Sequence, residues 1–193
     1  NGKFWLGTIG GLNQFDPATE MFKRYVHNPH DSSSLSNDIL VSITEDKNGI
    51  LWIGTWGGGL IRFDPTTEHF STYLHDSQNA SSISGDYVTA VHQARDSRYW
   101  VMTRFNGLNL FDPSTHTFKH FPLQEKNEGS HWGQNIIHED HSGMLWFTSR
   151  KALYAINPKT YKLNHYTPKS SDEFNIKGVV AGTRGDLWVY GQG

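Results

Sequence analysis

The sequence predicts an all-β protein assembled from repeated four-stranded antiparallel units, and three observations carry that expectation. Its 193 residues include 19 Gly, 7 Trp, 8 Tyr and 11 Phe, a turn-rich and aromatic composition that suits sheets better than helices. Tryptophan recurs at Trp5, Trp52, Trp100, Trp146 and Trp188, with intervals of 47, 48, 46 and 42 residues, a period in the range of a propeller blade. The same punctuation surrounds these tryptophans. Gly2, Gly49, Gly143 and Gly185 stand three residues before four of them, and Gly11-Leu12, Gly59-Leu60, Gly107-Leu108 and Ala152-Leu153 follow. The expected fold is a β-propeller of four-stranded antiparallel blades, about four blades' worth, forming part of a larger propeller.

Each unit reads as four short strands. The first, such as Ile39 to Thr44 or Tyr87 to His92, leads into an Asp-containing turn. The second carries the tryptophan, as in Ile50 to Thr55. The third runs from Gly59 to Phe63 and stops at Asp64-Pro65, because proline fixes its backbone angle and offers the ladder no donor. Phe15-Asp16-Pro17, Phe111-Asp112-Pro113 and Ile156-Asn157-Pro158 repeat that stop. The fourth strand holds Phe70 and Tyr73, matched by Phe22 and Tyr25, Phe118 and Phe121, and Leu163 and Tyr166. The units fall at roughly 1–25, 39–73, 86–121, 134–166 and 174–193. A four-bladed ring would have to pair Phe174 to Ala181 with the opening strands at Phe4 to Tyr25. Leu187 to Tyr190 would then be surplus, so a segment of a larger ring is the simpler expectation.

Charge and composition exclude several functions. A net charge of −2 gives no basic footprint for nucleic acid and no polybasic run for a membrane surface. With no cysteine, disulfide, zinc-thiolate and thiol-nucleophile chemistry are unavailable. No nucleophile elbow, phosphate loop or zinc motif appears, so neither catalysis nor a cofactor is expected. His138-Glu139-Asp140-His141 falls on the turn occupied by Thr44-Glu45-Asp46-Lys47 in the second unit and is read as structural. His27 and His30 lack a carboxylate partner, Arg184-Gly185-Asp186 occupies the turn before a tryptophan strand, and Asp16, Asp64 and Asp112 are turn formers.

The pattern Asp46-x-x-Gly49-x-Leu51-Trp52-Ile53-Gly54-Thr55, Gly58-Gly59-Leu60, Phe63-Asp64, Phe70 and Tyr73 resembles the two-component regulator propeller repeat. The resemblance covers essentially the whole chain. It departs at Ser97 and Arg98, where glycine is expected, and at Ser149 and Ala152, placed in glycine positions of the fourth unit. It implies the periplasmic, ligand-sensing part of an inner-membrane bacterial signalling protein, with a histidine kinase or diguanylate cyclase as output. The partners it implies are an oligosaccharide or other small extracytoplasmic ligand, the remaining blades and downstream domains of the same protein, and a homodimer. A streptogramin-lyase-type enzyme, using Glu125, Glu128 and His131, and a purely structural dimerisation scaffold are the alternatives.

Propeller geometry places second-to-third tips and fourth-to-first loops on one face. The loops Val26 to Asn37, Leu74 to Gly85 and Pro122 to Gly133 read as variable, the place where function resides on a rigid scaffold. The candidate ligand-binding residues on that face are Trp56, Arg104, Phe105, Asn106, His131, Trp132, Arg150 and Lys151. Rings stack on the apolar faces of pyranoses, and Arg or Lys pairs with uronate or sulfate. At the Trp56 position the other units place Ile9, Arg104 and Ser149.

Overall fold

The computed structural model describes residues 2–123, 136–149, 151–167, 175–182 and 186–192. Its described elements are all strands, arranged as successive antiparallel sheets. The first sheet is three-stranded: β1 (Phe4–Thr8), β2 (Gly11–Asp16) and β3 (Met21–Tyr25). Three four-stranded sheets follow. They are β4 (Leu40–Glu45), β5 (Leu51–Thr55), β6 (Leu60–Asp64) and β7 (His69–Tyr73); β8 (Val88–Gln93), β9 (Tyr99–Thr103), β10 (Gly107–Asp112) and β11 (Thr117–Phe121); and β12 (His138–Glu139), β13 (Leu145–Thr148), β14 (Leu153–Ile156) and β15 (Leu163–Tyr166). A two-stranded sheet, β16 (Asn175–Ala181) with β17 (Leu187–Gln192), ends the series. β16 therefore pairs with β17 rather than with the opening strands, and the sheets do not close on one another.

Alternation along each strand sends one set of side chains to the preceding sheet and the other to the following sheet. Leu51, Ile53, Phe63 and Phe70 join Leu12 and Leu35 in a cluster between the first and second sheets. Trp52 and Leu60 join Val91, Val101, Phe111 and Phe118 between the second and third. Trp100, Leu108 and Phe121 meet Leu145, Phe147 and Ile156 between the third and fourth. The core thus lies between sheets, and no sheet buries both its faces alone.

The repeated turns explain the repeated letters. Asp46 Oδ1 accepts the amides of Asn48 and Ile50, and its Oδ2 accepts Trp52 Nε1 at 3.0 Å and the Tyr99 hydroxyl at 2.7 Å. Asp140 does the same for Ser142, Met144 and Trp146, so in His138-Glu139-Asp140-His141 the first two residues form β12 and Asp140 holds the structural turn that follows. In the third unit Ala94 replaces the aspartate, and Trp100 Nε1 is buried without a hydrogen-bond partner. Ser97 takes the glycine position there and adopts the same left-handed backbone, φ +67°, as Gly49 at +78°.

At the tips, Thr55 Oγ1 accepts the Gly58 amide and donates to Gly59 O, and Thr103 donates to Gly107 O. Ser149 accepts the Ala152 amide and donates to Ala152 O. Ser149 therefore stands in for this threonine rather than for a glycine, and it is Arg150 that follows in the Trp56 position. The fourth tip is one residue shorter. At Gly59, with φ +75°, a Cβ would fall 2.2 Å from Tyr73 O, so glycine is required there.

Candidate functional site

Tips and fourth-to-first loops do share one face. Gly57 and Gly59 donate to Asp86 O, Asn37 Nδ2 donates to Trp56 O, and Ser36 Oγ donates to Gly58 O. The first two loops, however, are copies of each other. The His27 amide donates to Asp38 Oδ1 and its Nδ1 lies 2.6 Å from Leu35 O; His75 makes the same pair with Asp86 and Ile83. Ser34 and Ser82 each accept an amide and return a hydroxyl bond to the same residue, Asn28 or Asp76. These loops read as variable because their spacer residues differ, whereas the side chains that hold the backbone repeat at an interval of 48. His27 is thus a structural residue, and among the described residues no group of three or more His, Asp or Glu side chains comes together as a metal set.

What differs between units is the set of side chains crowning the second and third blades. Trp56 follows β5, donates its amide to Ile39 O and forms an isolated antiparallel bridge with Tyr87, just before β8. The Arg104 amide then donates to Tyr87 O at 2.8 Å, so both tips are tied to one residue. The Trp56 and Tyr87 rings meet edge to face at 5.2 Å, and Tyr87 meets Phe105 in the same way at 5.6 Å. The Arg104 guanidinium lies over Trp56 at 4.6 Å and over Phe105 at 5.1 Å. Tyr87 and Phe105 remain 38% and 49% exposed, so two ring surfaces face solvent beside the Arg104 guanidinium, whose Nε and Nη1 are buried against its neighbours.

Of the residues expected on this face, the structure brings together Trp56, Arg104 and Phe105. Asn106 is exposed at the same tip and closes over Gly85, where a Cβ would come within 2.6 Å of its Oδ1. Lys151 is exposed at the β13–β14 tip of the next sheet. His131, Trp132 and Arg150 lie outside the described residues, as do Glu125 and Glu128. Tyr87 was missed. Its signal was an aromatic ring at the start of a first strand, where Ile39 stands in the preceding unit.

At the opposite end of the strands from the crown, a polar network joins the second and third blades. Asp46 accepts the Tyr99 hydroxyl, Tyr99 accepts Gln93 Nε2 at 3.1 Å, and Gln93 Oε1 accepts the Lys47 amide. Burial, reinforced by the carboxylate of Asp46, pushes the Tyr99 phenol up to about 12. Burial alone would raise Asp46, but the bonds from Tyr99, Trp52 and two amides outweigh it and hold the carboxyl below its usual value. One blade on, Glu139 Oε2 accepts the Arg95 amide at 2.9 Å and lies 3.5 Å from His92 Nε2. Burial depresses His92, with Glu139 offsetting part of the effect. Ser42, Thr44, Val91, His92, Ile136 and Ile137 line a cavity of about 270 Å³ alongside these first strands.

Residues 33–57, from the end of the first loop through β4 and β5 to the Trp56 tip, match the two component regulator propeller family. The chain carries a two component regulator propeller repeat. Among solved structures it is similar to the extracellular domain assigned to a hybrid two component system of Bacteroides thetaiotaomicron. That match has a TM-score of 0.74 and 19% identity, over 100% of this chain and 27% of the other. It is also similar to virginiamycin B lyase from Staphylococcus aureus, with a TM-score of 0.70 and 16% identity over 97% of this chain and 59% of the lyase. PorZ, a surface component of the type-IX secretion system of Porphyromonas gingivalis, gives 0.67 and 17% over 100% of this chain and 30% of PorZ. At these identities the likeness establishes the β-propeller fold, and the chain spans little more than a quarter of the first structure. No curated protein matches the sequence significantly. Among the described residues no helix is long and apolar enough to cross a membrane.

Proposed function

We propose that this propeller segment is the extracytoplasmic, ligand-sensing part of a bacterial signal-transduction protein and is itself non-catalytic. Its Trp56, Tyr87, Arg104 and Phe105 crown, with Asn106, is the contact surface for a carbohydrate or another small ligand. The observation that carries this reading is the crown itself: two partly exposed rings and a flat guanidinium, held by backbone bonds across two blades. Ring surfaces of this kind take the apolar face of a sugar, and an adjacent guanidinium takes hydroxyls or an acidic group. The repeat and the likeness to an extracellular domain of a two component system support the sensing role and the extracytoplasmic location. Lys151 extends the same face, and the order of strand connections in the sequence assigns Arg150, His131 and Trp132 to it as further candidates. The wider protein supplies the other blades, the downstream output domain and a homodimer through which binding is transmitted.

The test is a glycan array and thermal-shift screen on the complete sensor region. A saccharide that raises the unfolding midpoint of the wild type but not of Trp56→Ala or Arg104→Ala supports the reading. Binding of a soluble protein partner with no response to any saccharide overturns its carbohydrate part.

The likeness to virginiamycin B lyase keeps an enzymatic reading in view. Metal-dependent turnover of virginiamycin B that disappears in His131→Ala would establish it.

A further inference from the structure

The residue that follows the threonine of each tip belongs to a repeated trio, and successive blades fill that trio with different chemistry. At the second tip it is Trp56, with Tyr87 at the start of the next blade and Leu74 just after β7, whose Cδ2 lies 3.0 Å from where a Cβ on Gly59 would stand. At the first tip the same places are taken by Ile9, Ile39 and Val26, whose Cγ1 lies 3.3 Å from the corresponding point on Gly11. The second trio is mainly aromatic; the first is wholly aliphatic.

Backbone bonds hold the two trios side by side. Gly11 donates to the carbonyl of Asp38, the residue before Ile39, as Gly59 donates to that of Asp86, the residue before Tyr87. The Trp56 amide donates to Ile39 O at 3.0 Å, so Ile39 belongs to the first trio and is bonded to the second. None of the three aliphatic side chains is packed away. Ile9 is 84% exposed, Val26 44% and Ile39 40%, whereas Leu12 and Leu40, next along the chain from Gly11 and Ile39, are buried. The patch has a polar edge, where Arg24 Nε donates to Gly10 O at 2.9 Å and His27 Nδ1 lies against Leu35 O.

We propose that the crown and this aliphatic patch form one site for an amphiphile, a saccharide carrying an unbranched aliphatic chain; this rests on the crown being a saccharide surface. The head lies on the rings of the crown with its polar or acidic groups toward Arg104, and the chain runs over Ile39 to Ile9 and Val26. Chemistry selects this occupant. Aliphatic side chains lack the ring faces on which a further sugar would stack, whereas every methylene laid on them leaves water. A stable protein interface takes roughly 20–30 residues from each side. The aliphatic patch offers three side chains between polar neighbours.

Isothermal titration of the complete sensor region with methyl, butyl and octyl β-D-glucuronide, each below its micellar concentration, tests this. Full burial of a methylene is worth about fourfold in affinity, and an open patch that covers one side of the chain should give about twofold per methylene. The double variant Ile9→Ser with Val26→Ser should flatten that series, so that the octyl compound binds no better than the methyl. Arg104→Ala should weaken all three equally and keep the slope. Equal affinity across the wild-type series overturns the proposal, and so does the absence of binding by every member. A slope that survives the double variant overturns it as well, because the chain is then seated elsewhere or bound as a detergent. Failure of the crown as a saccharide surface shows differently: Arg104→Ala then leaves methyl glucuronide binding unchanged, whatever the slope.

Discussion

At the scale of single residues, the aspartate of the first-to-second turn decides most. Asp46 satisfies two buried donors at once, the Trp52 indole and the Tyr99 hydroxyl. Asp46→Ala leaves both without an acceptor, and each unsatisfied donor costs about 1–3 kcal/mol. We expect a loss of about 3 kcal/mol by chemical denaturation. Tyr99, raised to about 12, contributes stability that is complete below the ordinary tyrosine value and is lost as pH rises through about 12. An ultraviolet titration should therefore show one tyrosine ionising well after the others, and Asp46→Asn should bring it earlier. Ser97 shows the opposite case of a residue in a glycine's conformation. Ser97→Gly should stabilise the protein by about 0.5–1 kcal/mol in the same assay. The sequence announced Asp46 through its repetition, but the orphaned Trp100 was legible only once Ala94 was seen to occupy the aspartate's place.

Elements are where the ligand reading must be judged. Trp56 and Arg104 sit at equivalent positions on neighbouring tips, and Tyr87 is the residue that joins them. Tyr87→Ala removes the central ring yet leaves the backbone bridge intact. We expect little change in the unfolding midpoint and a marked loss of ligand response, close to that of Arg104→Ala, in the thermal-shift assay. The loops following β3 and β7 carry a structural prediction. Asp86→Ala removes the acceptor of the His75 amide and should loosen the loop at 74–86. Hydrogen exchange should speed there while β9 and β10 stay protected. Sequence comparison marked these loops as free to vary because it weighed letters equally. The bonds show that a few polar positions, such as Ser34 and Ser82, fix the backbone while the rest do not.

Across the whole molecule, stability is carried by the contacts between sheets, so conditions that act on those contacts act on everything. His92 and Glu139 face each other across the third and fourth blades, and burial holds the His92 imidazole below its ordinary value, with Glu139 offsetting part of the effect. A histidine held below its ordinary value contributes stability above about pH 6.5 that is lost as pH falls. Asp46 and Asp140, also depressed, contribute stability that disappears only below the ordinary carboxylate range. The unfolding midpoint should thus fall in two stages on acidification. His92→Gln should remove the first stage and leave the second.

The sequence by itself determined the strands, their four-part order and the blade period, because those follow from local chemistry: proline and glycine end strands, and alternation sorts side chains to two faces. It also determined which face the tips and loops would share, since antiparallel connection order leaves no alternative. Only the tertiary structure decided which side chains meet. Tyr87 lies 31 residues from Trp56 and 17 from Arg104 in the chain, and nothing local brings the three together. Blade-to-blade stacking does, and it is an interaction between units that no single repeat encodes.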